Sequence, residues 1–225
     1  MLVIAAHPDD EVLGAGGTIA RLAKQRQEVY IAILGEGMTA RSESRATTDR
    51  EQLTSLKSDS ARAAERLGAA DLFLHDLPDN RFDSVPLLDV VKIVEALVER
   101  IAPDTIYTHH AGDLNIDHTV TNRAVMAATR PTGDGVVSTV YAFEVPSSTE
   151  WSFGQVAPPF RPSVFVDIAD TIDAKVEAME LYTSERRPFP HPRSPEALRA
   201  LSSVRGAAAG LEAAEAFELA RAIIR

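Results

Sequence analysis

Apolar residues follow two alternating rhythms along the chain. Short runs at 2–6, 29–34, 71–75, 105–108, 138–143 and 164–168 read as strands. Between the first of them, residues 11–24, 50–67, 87–101 and 117–129 carry apolar side chains at helical spacing, among them Val12, Ile19 and Leu22, then Leu88, Val91, Val94 and Leu97. Gly35-Glu36-Gly37 marks a turn, Gly68 ends a helix and Pro103 stops the next. Strands that alternate with helices imply parallel βαβ units, so the pattern predicts an α/β fold, a Rossmann-like three-layer sandwich with a mainly parallel sheet. Beyond Asp170 the periodicity is helical, broken by a Pro-rich stretch at 187–195, and this tail is expected to pack as helices across the sheet or over its rim.

In such sheets ligands bind beyond the carboxyl ends of the strands. His7–Glu11, Gly35–Gly37, His75–Asp79 and His109-His110 each follow one of the first four strands and are expected to line one rim. The first segment, Ala5-Ala6-His7-Pro8-Asp9-Asp10-Glu11, places an imidazole and three carboxylates within five positions. Crowded carboxylates repel and resist desolvation, so a fold gains nothing from them there unless a cation is held. A helix cap would account for one aspartate but not for the His-Pro before it. The chain has no cysteine, so any metal is held by His, Asp or Glu.

The complement lies in the polar segment 109–118, His-His-Ala-Gly-Asp-Leu-Asn-Ile-Asp-His, which enters the helix near Asp117. His118, in its first turn, comes in from the same rim as His7. His7, Asp10 and His118 then form a two-imidazole, one-carboxylate set suited to catalytic Zn2+ with an open position, and Fe2+ or another divalent ion suits the same donors. Asp9 stays free as a general base. His110 is a candidate to face the site, His109 a strand-end residue, and His75 and His191 read as surface or structural. Asp117 is either a support for the ligands or a helix cap.

With both motifs in view, the chain resembles the LmbE-like superfamily of zinc-dependent de-N-acetylases, the PIG-L group. Gly14-Ala15-Gly16-Gly17-Thr18-Ile19-Ala20 matches its first helix and Arg205-Gly206 through Phe217 its closing segment, so the likeness runs nearly the whole length. The resemblance implies an LmbE-like fold, zinc on His7, Asp10 and His118, and Asp9 as base. It fails at one place: several members carry a histidine three residues before the last ligand, where this chain has Asn115. Asparagine donates a hydrogen bond to an oxyanion but delivers no proton at neutral pH. The acid is then His110, a protonated Asp9, or water.

The expected activity is hydrolysis of an N-acyl group, chiefly acetyl, on an amino sugar or its conjugate. Thiol conjugates and antibiotic intermediates remain open as substrates of the same chemistry, and a non-catalytic sugar-binding protein is the rival outside enzymes. Gly14–Gly17 lies inside a helical pattern behind a negatively charged turn, which argues against a pyrophosphate loop. Candidate substrate contacts are Arg50, with Arg41 and Arg45 beside it, and Asp79 and Arg81 in a rim loop. Trp151 and Phe153 form a possible stacking lid, and Arg186, Arg187 and His191 a loop that closes over the site.

Bulk properties narrow the setting. At 225 residues the chain suits one domain over 1–225, and 45% hydrophobic with 25% charged residues is ordinary for a soluble fold. A net charge of −10 without a basic block excludes a nucleic-acid partner but not a small anion. The cluster occupies the first ten residues and no run is long enough to span a bilayer, so a cytoplasmic protein without stable membrane insertion is expected. Apolar tail helices leave room for a homo-oligomer.

Overall fold

Leu2–Ala5 (β1) is apolar at every position because it is buried on both faces. Leu2, Ile4 and Ala6 point into one core and Val3 and Ala5 into the other. The computed structural model describes residues 1–38, 50–132, 137–155 and 158–224. After β1 the chain runs through α1 (Asp10–Lys24), β2 (Tyr30–Gly35), α2 (Arg50–Leu67), β3 (Asp71–Leu77), α3 (Leu87–Ile101), β4 (Thr105–His109), α4 (Ile116–Ala128) and β5 (Thr139–Phe143). β6 (Val164–Asp167), α5 (Ile172–Leu181), α6 (Pro195–Ala209) and β7 (Ala214–Ala222) complete it. One sheet takes all seven strands of the described residues in the order β3-β2-β1-β4-β5-β7-β6. The first five are parallel, and β7 runs antiparallel to both β5 and β6. The core holding α1, α2 and α5 lies on one face and that holding α3 and α4 on the other, the three-layer sandwich expected.

The tail departs from expectation in one element. Residues 214–222 form a strand, not a helix, although four of the nine are alanine. Gly210, at φ 73°, ends α6 in the left-handed conformation open to glycine. The chain then enters the slot between β5 and β6, where ladder hydrogen bonds and burial of Ala214–Phe217 outweigh helix propensity.

Glu215 of β7 explains the small residues of α1. Its carboxylate accepts the Gly17 and Thr18 N–H groups at 2.9 and 2.7 Å and the Lys175 ammonium at 2.6 Å, while that ammonium also donates to the Leu13 carbonyl. A buried ion pair thus docks against the middle of α1. A Cβ at Gly14 would overlap the Phe143 ring, and one at Gly17 would lie 2.8 Å from Ile168, so these positions serve close packing.

Candidate active site

The chain adds β2 and β3 on one side of β1, then crosses to place β4 on the other. The carboxyl ends of β1 and β4 therefore flank the topological switch point, where doubly wound sheets bind ligands. Their register sets Leu2 against Ile106 and Val3 against Tyr107, which brings the loop carrying His7 beside the one carrying His109–His118. The Ala6 N–H donates to His109 Nε2 at 2.8 Å and ties the two loops together.

Asp10 Oδ2 lies 3.3 Å from His7 Nδ1 and 3.2 Å from His118 Nε2, and the three donor atoms all fall within 4.8 Å of one another. Two ligands each bound at about 2.0–2.1 Å to a tetrahedral zinc stand about 3.3–3.4 Å apart, so the donor set fits a divalent ion. A second possible group, His7 with Asp79 and Asp117, uses the opposite ring nitrogen of His7. There Asp117 Oδ2 lies 2.9 Å and Asp79 Oδ1 3.3 Å from Nε2, while Asp117 Oδ1 accepts the Phe82 N–H. Asp117 thus holds His7 from behind, orienting Nδ1 toward Asp10. It is not the cap of α4, a role taken by Asn115, whose Oδ1 accepts the Asp117 N–H.

His118 is held the same way. Its Nδ1 lies 3.2 Å from Asp113 Oδ1, and Asp113 also accepts the hydroxyls of Ser148 and Thr149 and the Asn115 N–H. Burial opposes the anion, but His118 and the hydroxyls prevail and hold Asp113 at about 2. His109 stacks on His118 with ring centroids 4.0 Å apart. Burial and the neighbouring His118 charge push His109 well below the usual histidine range, so it stays neutral and accepts the Ala6 N–H.

The carboxylates in turn draw positive charge onto the cluster. Burial works against protonation of His7 and His118, yet Asp10 and its neighbours raise them to about 10 and about 9. Asp10 itself is buried, and its imidazole neighbours, His118 first, hold it well below the usual carboxylate range. A cation satisfies the same demand.

Asp9 stands apart from this set. It occupies the position before α1 at φ 102°, in the left-handed region, and makes no side-chain cap. Such a conformation in a residue other than glycine persists only where its surroundings enforce it. Here the Asp9 carbonyl accepts the Val12 and Leu13 N–H groups, and its own N–H donates to Glu11 Oε2 at 3.2 Å. Glu11 is fixed by the buried Tyr182 hydroxyl at 2.5 Å. Burial raises the Asp9 carboxyl above its usual range, Arg193 opposes the shift, and Asp10, Glu185 and Glu11 add to it. Arg193 Nη1 donates to Asp9 Oδ2 at 2.7 Å and to Glu185 Oε2 at 3.0 Å, and its Nε donates to the Ser147 hydroxyl.

A cavity of about 140 Å³ opens over these groups, walled by His7, Asp9, Asp10, His118, Asp79 and Asn115 among others. The structure does not bring every expected residue there. His110 turns away, bonded through Nδ1 to Glu218 and through Nε2 to the Pro158 carbonyl, and it is His109 that meets the cluster. Arg81 is exposed, with its side chain outside that wall. Arg41, Arg45 and the side chain of Arg50 lie outside the described residues. Trp151 is half-exposed and meets His191 edge-on, while Phe153 is exposed. The Pro-rich loop does reach the site, through Arg193 rather than Arg186, Arg187 or His191. Arg193, Glu185, Asp113 and Tyr182 are the supports that sequence reading missed.

A doubly wound sheet with this His–Asp–His set at its switch point defines an LmbE-like α/β protein. Residues 2–129 match the family described as GlcNAc-PI de-N-acetylase, and the chain belongs to this PIG-L family. It is 26% identical over 190 residues to a probable N-acetyl-alpha-D-glucosaminyl L-malate deacetylase 2 of Bacillus cereus, covering 82% of this chain and 83% of that protein. It is also 28% identical over 195 residues to a 4-oxalmesaconate hydratase of Pseudomonas putida, covering 80% and 71%. The N,N'-diacetylchitobiose deacetylase of Pyrococcus horikoshii shares the fold, with a TM-score of 0.77 at 20% identity over 98% of this chain and 83% of the other. Among the described residues no helix is long and apolar enough to cross a membrane.

Proposed function

We propose that this protein is a metal-dependent hydrolase that removes an N-acyl group, acetyl in the first instance, from an amino sugar or its conjugate. The convergence of His7 Nδ1, Asp10 Oδ2 and His118 Nε2 beside an Asp9 carboxylate that is not among the donors carries this reading. His7, Asp10 and His118 are the residues that would hold a divalent ion such as zinc, which when bound would supply Lewis acidity for activating water and polarising the amide carbonyl. Asp9, beside the donor set and lining the cavity, takes the proton from the attacking water and returns it to the leaving amine nitrogen. Asn115 Nδ2, bonded to Asn80 Oδ1 and lining the cavity, offers its second N–H to the developing oxyanion. His110, held by Glu218 and Pro158, is set aside as the acid.

The test is metal analysis together with amine release from free, nucleotide-linked and glycoside-linked N-acetyl sugars. One metal per chain and amine from at least one substrate are expected. Failure of every substrate with the metal in place rejects the reading. A second reading, addition of water to an activated double bond, is favoured by the hydratase relative, because base-assisted water activation serves both reactions. Loss of a conjugated chromophore from an unsaturated dicarboxylate, without amine release, would select it.

A further inference from the structure

Two aspartates stand side by side beyond the end of β1, yet only Asp10 belongs to the set with His7 and His118. Asp10 is kept to that task by the His7 N–H, which donates to Oδ2 at 2.9 Å while the same oxygen faces His7 Nδ1 and His118 Nε2. Asp9 is as deeply buried and walls the same cavity. Its chemistry does not bar it from a cation, because the two carboxylates are equivalent donors. Among the described residues its carboxylate accepts a hydrogen bond from one group, Arg193 Nη1, at 2.7 Å from Oδ2. That guanidinium is fixed from two further sides, Nη1 reaching Glu185 Oε2 at 3.0 Å and Nε the Ser147 hydroxyl at 2.9 Å. Its backbone is fixed as well. The Arg193 N–H donates to His191 Nδ1, and the next residue, Ser194, is the buried cap of α6. A forked, permanently charged group pinned at three points has little freedom to follow a moving carboxylate.

We infer that Arg193 is a positioning residue that keeps Asp9 off the metal, so that one aspartate of the pair ligates and its neighbour stays a base. The clamp ties up Oδ2 and leaves Oδ1 to meet the water. Without it, Asp9 turns its carboxylate toward the cation and takes the open position that a hydrolytic site reserves for water. The inference rests on the metal centre proposed above and not on the choice of substrate.

Cobalt(II) loaded into the full-length protein tests it, because its visible absorption reports the number and kind of ligands. The wild type and Asp9→Asn should give the same spectrum, as Asp9 ligates in neither. Arg193→Gln, whose side chain is too short to span to Asp9, should shift the bands. The shift should disappear in the Arg193→Gln/Asp9→Asn double variant. Removing a positive charge also strengthens cation binding through space, but that leaves the ligand set, and so the spectrum, in place. Arg193→Lys keeps the charge and cannot bridge Asp9, Glu185 and Ser147 at once. It should show the same shift in smaller measure, again abolished by Asp9→Asn, and it serves alone where Arg193→Gln does not fold. In the amine-release assay the kcat of Arg193→Gln should fall toward that of Asp9→Ala. A wild-type spectrum in both Arg193 variants, or a shift that persists with Asp9→Asn, overturns the inference and leaves the metal centre standing. A wild type that binds no cobalt removes the metal centre and the inference together. The expected shift with no amine from any substrate keeps the inference and removes only the deacetylase reading.

Discussion

Asp117 Oδ2 lies 2.9 Å from His7 Nε2, on the edge of the ring opposite the one that faces Asp10. A carboxylate behind a ligating imidazole fixes its tautomer and raises its basicity, and loss of such a partner typically costs 10–100-fold in metal affinity. Asp117→Asn should weaken zinc binding by about that factor, measured by competition with a chromophoric chelator. Unchanged affinity would move the donor set elsewhere.

Asp9 makes a different forecast. Since it lies outside the donor set, Asp9→Ala should keep stoichiometric metal, while turnover falls by about 10²–10⁴-fold, the usual contribution of a general base. Loss of the metal in this variant would make Asp9 a ligand instead.

Asn115 combines a cap and a donor, and the two separate by substitution. Asn115→Asp keeps the oxygen that accepts the Asp117 N–H and removes the amide donor. Its melting temperature should stay near that of the wild type while kcat drops. An undiminished kcat would confine Asn115 to capping α4.

Glu11 links the site to pH. Burial, opposed by the Tyr182 hydroxyl, raises its pKa from 4.5 to about 7. Between those values the folded chain binds the proton more tightly than the unfolded chain does. The contribution is thus full below pH 4.5 and declines as pH rises toward 7, by about 3 kcal/mol at 1.36 kcal/mol per unit. In Glu11→Gln the slope of the urea-unfolding free energy across pH 4.5–7 should shrink by that amount, the raised Asp9 carboxyl supplying what remains. A slope equal to that of the wild type would place the titration on another group.

The Lys175–Glu215 pair sets the cost of undocking β7 from α1. Removing one partner of a buried pair leaves the other charge uncompensated, at about 3–5 kcal/mol. Lys175→Met should lose that much in urea unfolding, and a loss under 1 kcal/mol would mean the pair is solvated.

The elements that position the site were legible because they are local. The apolar runs of β1, β2 and β4, buried on both faces, and the polar segments directly after β1 and β4 read straight off the chain. His7, Asp10 and His118 follow from residue chemistry at those strand ends. What escaped depends on distant partners. Arg193 lies 184 positions from Asp9, and nothing in the Pro-rich loop marks it over Arg186 or Arg187. His109 and His110 are adjacent, so which ring meets the cluster is decided by strand direction and by Glu218. β7 resembles a helix in composition, and only the vacant slot beside β5 makes it a strand.

That slot orders assembly in time. β6 is translated before β7, yet among the described residues it pairs with β7 alone. A growing chain must therefore hold residues 164–167 unattached until some fifty later residues have emerged. The loop that carries Arg193 is strung between these two strands, so the segment that walls the pocket is anchored at both ends by the last two strands of the sheet to pair.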